Sequence, residues 1–114
     1  MKIVFTSKGK DMDSMMDPRF GRADFLIMYD EETKSHTTYD NSESGGAAHG
    51  AGPLTAQKVY ELGPDAIVTG NGPGEKATAT LKVANISMYV GAGNMQVSEA
   101  LQAIQQNDLQ KIDL

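Results

Sequence analysis

The feature that most constrains the fold is an order repeated in the C-terminal half: a short apolar run, a glycine turn, then an amphipathic stretch. Asp65-Ala66-Ile67-Val68-Thr69 runs into Gly70-Asn71-Gly72-Pro73-Gly74, and Ile86-Ser87-Met88-Tyr89-Val90 runs into Gly91-Ala92-Gly93. The first run reads as a strand buried on both faces and the second alternates, as a half-buried strand does. Beyond the first turn, Ala77, Leu81 and Ala84 fall on one side of a predicted helix that stops near Asn85; beyond the second, Val97, Ala100, Leu101 and Ile104 form the clearest helical face in the chain. A third helix is predicted upstream, with Pro53 in its first turn, Ala56, Val59, Tyr60 and Gly63 at helical spacing, and Gly63-Pro64 as its stop. Strand–helix–strand crossovers require parallel strands, so both glycine turns leave the sheet at the same carboxyl-end edge, where α/β folds usually hold ligands.

The N-terminal half reads as three strands. Ile3-Val4-Phe5 opens one that leads into a polar, Met-rich excursion from Ser7 to Pro18. Phe25-Leu26-Ile27-Met28-Tyr29 is continuously apolar and is predicted to be central. After a turn at Asp30-Glu31-Glu32, Thr33 to Tyr39 lacks aliphatic residues and suits an edge strand joined to its predecessor as an antiparallel hairpin. Residues 41–52 carry four Gly and little to bury, which predicts a mobile loop. The expected product is an α/β protein: a mixed five-stranded sheet with β-β-β followed by α-β-α-β-α and helices on its faces. With 114 residues, 39% of them apolar, the chain suits one domain over residues 1–114 with one modest core.

Composition narrows the chemistry. With no Cys, the chain cannot form disulfides, ligate zinc or an iron–sulfur cluster through thiolates, or use a thiol nucleophile. A net charge of −5 opposes general nucleic-acid binding, which needs a basic face. No run approaches the roughly 20 apolar residues of a membrane span, so the expected setting is cytoplasmic, without membrane contact.

Several segments can carry a ligand. Arg19 and Arg22 flank Phe20-Gly21 just before a predicted strand; they either face an anion or pair with Asp17, Asp24 or Asp30. Gly70, Asn71, Gly72 and Gly74 precede a helix start, where backbone N–H groups and the helix dipole favour anions, and Gly91 and Gly93 repeat the arrangement. Both turns fail the dinucleotide and P-loop patterns, and either can equally be a tight structural turn. His49, in the glycine loop, is the one candidate metal or cluster ligand, or else an exposed loop histidine; His36 reads as solvated surface. Met12, Met15 and Met16 in the excursion suit the edge of the core better than soft-metal binding. No G-x-S-x-G or H-E-x-x-H pattern occurs, so a non-enzymatic binding role is expected.

Asp17-Pro18-Arg19-Phe20-Gly21-Arg22-Ala23 resembles the PRFGRA signature of the dinitrogenase iron-molybdenum cofactor biosynthesis family. That family includes NifX-type carriers, the C-terminal part of NifB and small stand-alone proteins. The likeness extends through Gly50-Ala51-Gly52, the segment Gly63 to Gly74, and Val90 to Val97, and so covers essentially the whole chain. It implies a ribonuclease H-like fold and, as cargo, a metal–sulfur cluster such as the iron-molybdenum cofactor, with cluster-assembly proteins as partners. It also favours an anion-facing role for the two arginines. Nucleases of that fold need a carboxylate on the first strand, and Lys2 to Thr6 has none. The leading expectation is a carrier that holds the cluster non-covalently through Arg19, Phe20, Gly21, Arg22, His49 and the two glycine turns, acting as a monomer or weak homodimer. The alternatives are a regulatory module for nucleotides or phosphate metabolites, and an interaction domain that pairs through its edge strand.

Overall fold

The computed structural model describes residues 1–112. Its elements run β1 (Lys2–Ser7), β2 (Phe25–Asp30), β3 (Ser35–Asp40), α1 (Ser42–Gly45), α2 (Ala51–Leu62), β4 (Ala66–Val68), α3 (Glu75–Val83), β5 (Ser87–Val90), α4 (Val97–Gln105) and β6 (Gln110–Lys111). One mixed sheet has the order β3-β2-β1-β4-β5-β6. Strands β1, β4 and β5 are parallel, while β2 and β3 form an antiparallel hairpin on one side and β6 pairs antiparallel with β5 on the other.

Strand alternation divides the core between two faces. Ile3 and Phe5 join Ile27, Ala66 and Val68 beneath Val97, Ala100 and Ile104 of α4. Val4 points the other way, with Leu26, Ile67 and Met88, beneath Ala56 and Val59 of α2 and Ala77 and Leu81 of α3. The Met-rich excursion closes the α4 side: Met16 is fully buried, and Met12 packs against the same cluster. Its main chain is stitched to the start of α4, with Val97 N–H donating to Ser14 O (2.9 Å), Ser98 N–H to Met12 O (2.8 Å) and Met16 N–H to Met95 O (2.8 Å). Met12 and Met16 are core fillers, as their residue type suggests, whereas Met15 is 44% exposed and does not fill the core.

Three expectations need correction. The sheet has six strands, not five, because a two-residue strand follows α4; Gln-Lys carries no apolar pattern by which to read it. The central, most buried strands are the neighbours β1, buried from Ile3 to Ser7, and β4, buried throughout. In β2 only Leu26 and Ile27 are buried, since both helical layers lie over β1, β4 and β5 and the neighbour on its other side is the polar β3. Residues 41–52 are not a plain loop: Ser42–Gly45 forms a helical turn, and α2 starts at Ala51, two residues before Pro53.

Candidate functional site

The sheet register brings the candidate segments to one edge. Ser7 pairs with Phe25 and Phe25 with Asp40, so the β1–β2 excursion and the residues after β3 leave at the edge where parallel β4 and β5 end. There Pro18 is a wedge between the two glycine turns. A β-carbon on Gly70 would stand 2.5 Å from Pro18 Cα and 2.9 Å from Gly93 Cα, and one on Gly93 would stand 3.0 Å from Pro18 Cβ. Asn71 N–H donates to Pro18 O at 2.7 Å, and Gly91 N–H to Gly70 O at 3.0 Å. Gly70 and Gly93 are thus glycines because backbones meet there, and they do not open onto a ligand.

Beneath this junction lies a buried polar chain. Thr6 Oγ1 is 2.8 Å from Asp17 O and 2.9 Å from Thr69 Oγ1. One hydroxyl has one proton, so when Thr6 donates to the carbonyl, Thr69 donates to Thr6. The chain fixes the end of β1, the arginine segment and the end of β4 relative to one another.

Both arginines have intramolecular partners. Asp17 is 1% exposed, and its Oδ1 accepts from the Arg19 backbone N–H (2.9 Å) and Nε (3.2 Å) while Oδ2 accepts from Nη2 (3.3 Å). The hydrogen bonds that the guanidinium donates to Asp17, then the charge of that carboxylate, raise its pKa above the ordinary arginine value. The Arg19 side chain is nonetheless 62% exposed, and its Nη1 takes no part in the pair. Arg22 donates from Nη1 to Gly45 O (3.1 Å) and Ala47 O (2.6 Å), which straps the residues after α1 to the arginine segment. Phe20 is 4% exposed and sits in the core under α2 and α3, where it anchors this segment from below and is turned away from the edge.

The N-termini of α2 and α3 lie side by side at this edge. A β-carbon on Gly52, in the first turn of α2, would come within 4.0 Å of Ala77 Cβ in the first turn of α3. Gly21 backs onto the same turn, at 2.7 Å from Gly52 N by the same measure. Among the described residues neither helix has a side-chain cap: the residues at the two starts are Gly50, at φ +74°, and Gly74, and the space beside both is open. Gly91, at φ +97°, is likewise open, and Gly72 approaches only Ile112 Cδ1, at 3.4 Å. The start of α4 is different, since Glu99 Oε1 accepts from Gln96 N–H at 2.9 Å, the reciprocal arm of a capping box.

His49 is exposed, immediately before Gly50. Among the described residues, no group of three or more His, Cys, Asp or Glu is arranged to hold a metal ion. His49 therefore offers a single imidazole beside the α2 start. Exposed His36 is the second residue of β3. Sequence reasoning overlooked the α2 N-terminus as part of the site; the small residues Gly50-Ala51-Gly52 ahead of Pro53 were the available signal. It also overlooked Asn41, which is buried and donates from Nδ2 to Ala23 O (2.9 Å) and Thr55 Oγ1 (3.1 Å), tying the arginine segment to α2. A concavity of about 470 Å³ lies between α2 and α3, lined by Tyr60, Ala79 and Val83 and away from the glycine turns.

Fold and edge together define a small mixed α/β protein whose sheet rim presents uncapped helix starts and an exposed guanidinium. The chain belongs to the dinitrogenase iron-molybdenum cofactor family, whose family model matches residues 1–107. It is similar to the apo form of the orange protein from Desulfovibrio gigas, with 31% identity and a TM-score of 0.91 over 97% of this chain and 92% of that one. It is also similar to a NifB-like protein of the DUF35 family from Thermotoga, with 32% identity and a TM-score of 0.82 over 96% of this chain and 91% of that one. No curated protein sequence matches it.

Proposed function

We propose that the protein is a non-enzymatic carrier for an anionic metal–sulfur cluster of the iron-molybdenum cofactor class, held non-covalently at the α2–α3 corner of the rim. The observation that carries this reading is the adjacency of two helix N-termini without side-chain caps, so close that a β-carbon on Gly52 would stand 4.0 Å from Ala77 Cβ, beside the arginine segment. Helix starts of this kind supply N–H donors and a partial positive charge, and a sulfide-rich anion needs both. Family membership supports the choice of cargo over a simple phosphate. The donor set fits a group held by charge and backbone amides; it does not fit thiolate ligation, for which the chain has no Cys. Arg19 contributes charge at the surface, Arg22 holds the 45–47 segment in place, and His49, immediately before Gly50, is a candidate direct ligand. The strand order, with its antiparallel β2, supports a ribonuclease H-like fold, and a cytoplasmic setting is part of the same proposal.

Binding at an open edge, without covalent ligands, makes the hold reversible and salt-sensitive. Anaerobic incubation with isolated iron-molybdenum cofactor, followed by gel filtration, metal analysis and visible absorption, tests it. Metal is expected to co-elute at low salt and to be stripped at high salt, and Arg19→Ala is expected to retain less of it. No co-eluting metal, or full retention by an Arg19→Ala/Arg22→Ala variant that is still folded, overturns the cargo or the residue assignment respectively. The same helix starts suit a nucleotide phosphate, and saturable heat in a calorimetric titration with nucleotides, together with no cluster retention, would favour that alternative.

A further inference from the structure

The chain has five asparagines, Asn41, Asn71, Asn85, Asn94 and Asn107. An asparagine amide is attacked most readily when the main-chain nitrogen of the next residue is free, so what that nitrogen is bonded to sets the chemical lifetime of the side chain. At four of the five positions it is engaged. Ser42 N–H donates to Asp40 Oδ1 (2.8 Å), Ile86 N–H to Leu81 O (3.0 Å), Met95 N–H to Ala92 O (3.1 Å) and Asp108 N–H to Ala103 O (2.8 Å). Asn41 is moreover buried, with its Nδ2 donating to two acceptors. Asn71 differs in every respect: both it and Gly72 are exposed, and among the described residues neither its side-chain amide nor the Gly72 N–H has a hydrogen-bond partner. Glycine adds no side chain to shield its nitrogen. The bond from the N–H of Asn71 itself to Pro18 O (2.7 Å) fixes only the side of the residue that takes no part.

We propose that Asn71-Gly72 is a self-modification site, at which Asn71 loses its amide to the Gly72 nitrogen and the rim of the sheet becomes more acidic as the protein ages. The Gly72 nitrogen bonds to Asn71 Cγ and gives up its proton; the Cγ–Nδ2 bond breaks, and the amide leaves as ammonia with one proton gained. Water then opens the cyclic imide at either carbonyl and leaves aspartate or isoaspartate, with nothing oxidised or reduced. Asn71 lies three residues ahead of Gly74 at the open α3 start, and it is tied to Pro18 in the arginine segment. A carboxylate there opposes an anion drawn to that helix start, and isoaspartate also lengthens the link between β4 and α3 by one main-chain carbon. The effect on cargo rests on the carrier reading above; the modification does not.

Incubation of the folded protein beside the same protein in concentrated urea, at mildly alkaline pH, tests the site. Peptide mass spectrometry reads amide loss as replacement of NH2 by OH, and fragmentation separates aspartate from isoaspartate. Asn71 is expected to convert first, at nearly the same rate folded and unfolded, whereas Asn41 is slowed by folding about tenfold or more. Gly72→Ala, whose β-carbon meets only Ile112 Cδ1 at 3.4 Å, keeps Asn71 and is expected to slow its conversion several-fold. Aged wild type is expected to retain several-fold less isolated iron-molybdenum cofactor than fresh wild type, Asn71→Asp to match it when fresh, and Gly72→Ala to keep its own fresh value. Conversion of Asn71 slowed by folding as much as that of Asn41 overturns the site, and converted protein that retains cofactor as fresh protein does overturns its effect on the rim. Fresh wild type that binds no cofactor overturns the carrier reading alone, and the mass readout still decides the site.

Discussion

Two corners of one rim are built in opposite ways. At the α4 corner everything is closed: Pro18 is wedged between Gly70 and Gly93, and Glu99 occupies the backbone donor at the helix start. At the α2–α3 corner two helices begin at glycines with open space beside them and no side-chain cap. The same residue type therefore serves opposite ends. Gly70 and Gly93 let backbones meet and build the scaffold, whereas Gly50 and Gly74 leave the space beside two helix starts open. A rim of this kind combines rigidity, from the closed corner, with unspent electrostatic capacity at the open one.

Placing the same side chain at one glycine of each corner gives the largest expected contrast. Serine at position 70 forces its β-carbon to within 2.5 Å of Pro18 Cα, a backbone atom held by the Pro18–Asn71 hydrogen bond. Gly70→Ser is expected to cost about 1–3 kcal/mol, the range for overpacking, seen as a lower urea midpoint. Gly74→Ser meets no atom within 4 Å at φ −67° and supplies a good N-cap, so it is expected to be neutral or to stabilise by a few tenths of a kcal/mol. Equal losses at the two positions would mean the corners do not differ as described.

Charge sharpens the same contrast at intermediate size. Gly74→Asp adds a carboxylate to the α3 start, where it suits the helix dipole but repels an anionic cargo, and cofactor retention is expected to fall about tenfold, roughly one Coulomb pair at the surface. Glu99→Gln, at the closed corner, removes a charge-assisted capping bond and is expected to lower stability by up to about 1 kcal/mol while leaving retention unchanged. Full retention by Gly74→Asp would move the cargo away from this corner.

The difference between the corners was only partly legible in the sequence. Ile67 and Val68, or Val97 with Ala100 and Ile104, announce their elements because burial there is a property of periodicity, and the fold follows from them. The expectation that both glycine turns reach one edge likewise followed from crossover geometry. What could not be read is which glycine a distant residue fills: Gly70 and Gly74 are four positions apart, and only the placement of Pro18 separates them. Nor does Asp17 look like a buried residue amid a polar excursion; its burial depends on Arg19 folding back over it. The open α2 start was hidden for a related reason, since a glycine-rich stretch reads as mobile until Asn41 and Arg22 are seen to pin its flanks.

The smallest expected effect tests how far the closure of the α4 side extends. At the opposite end of the sheet Glu31 accepts from Gln105 Nε2 in the last turn of α4 at 3.1 Å and pairs with the N-terminal ammonium at 3.1 Å. The hydrogen bonds from Gln105 and from the N-terminus, in that order, hold the Glu31 carboxyl below the ordinary glutamate pKa. A depressed carboxylate stabilises the fold fully above its unfolded value, and the contribution disappears as pH falls through the lower folded value. Being at the surface, it should amount to no more than a few tenths of a kcal/mol and shrink in salt. Glu31→Gln is therefore expected to lower the neutral limb of a stability profile by those few tenths, to match the wild type at low pH where the carboxyl is protonated, and so to flatten the acid limb measured by urea midpoints between about pH 2 and 6. A profile with an unaltered acid limb would mean that α4 is fixed from the rim alone, by Glu99 and the stitched methionine segment.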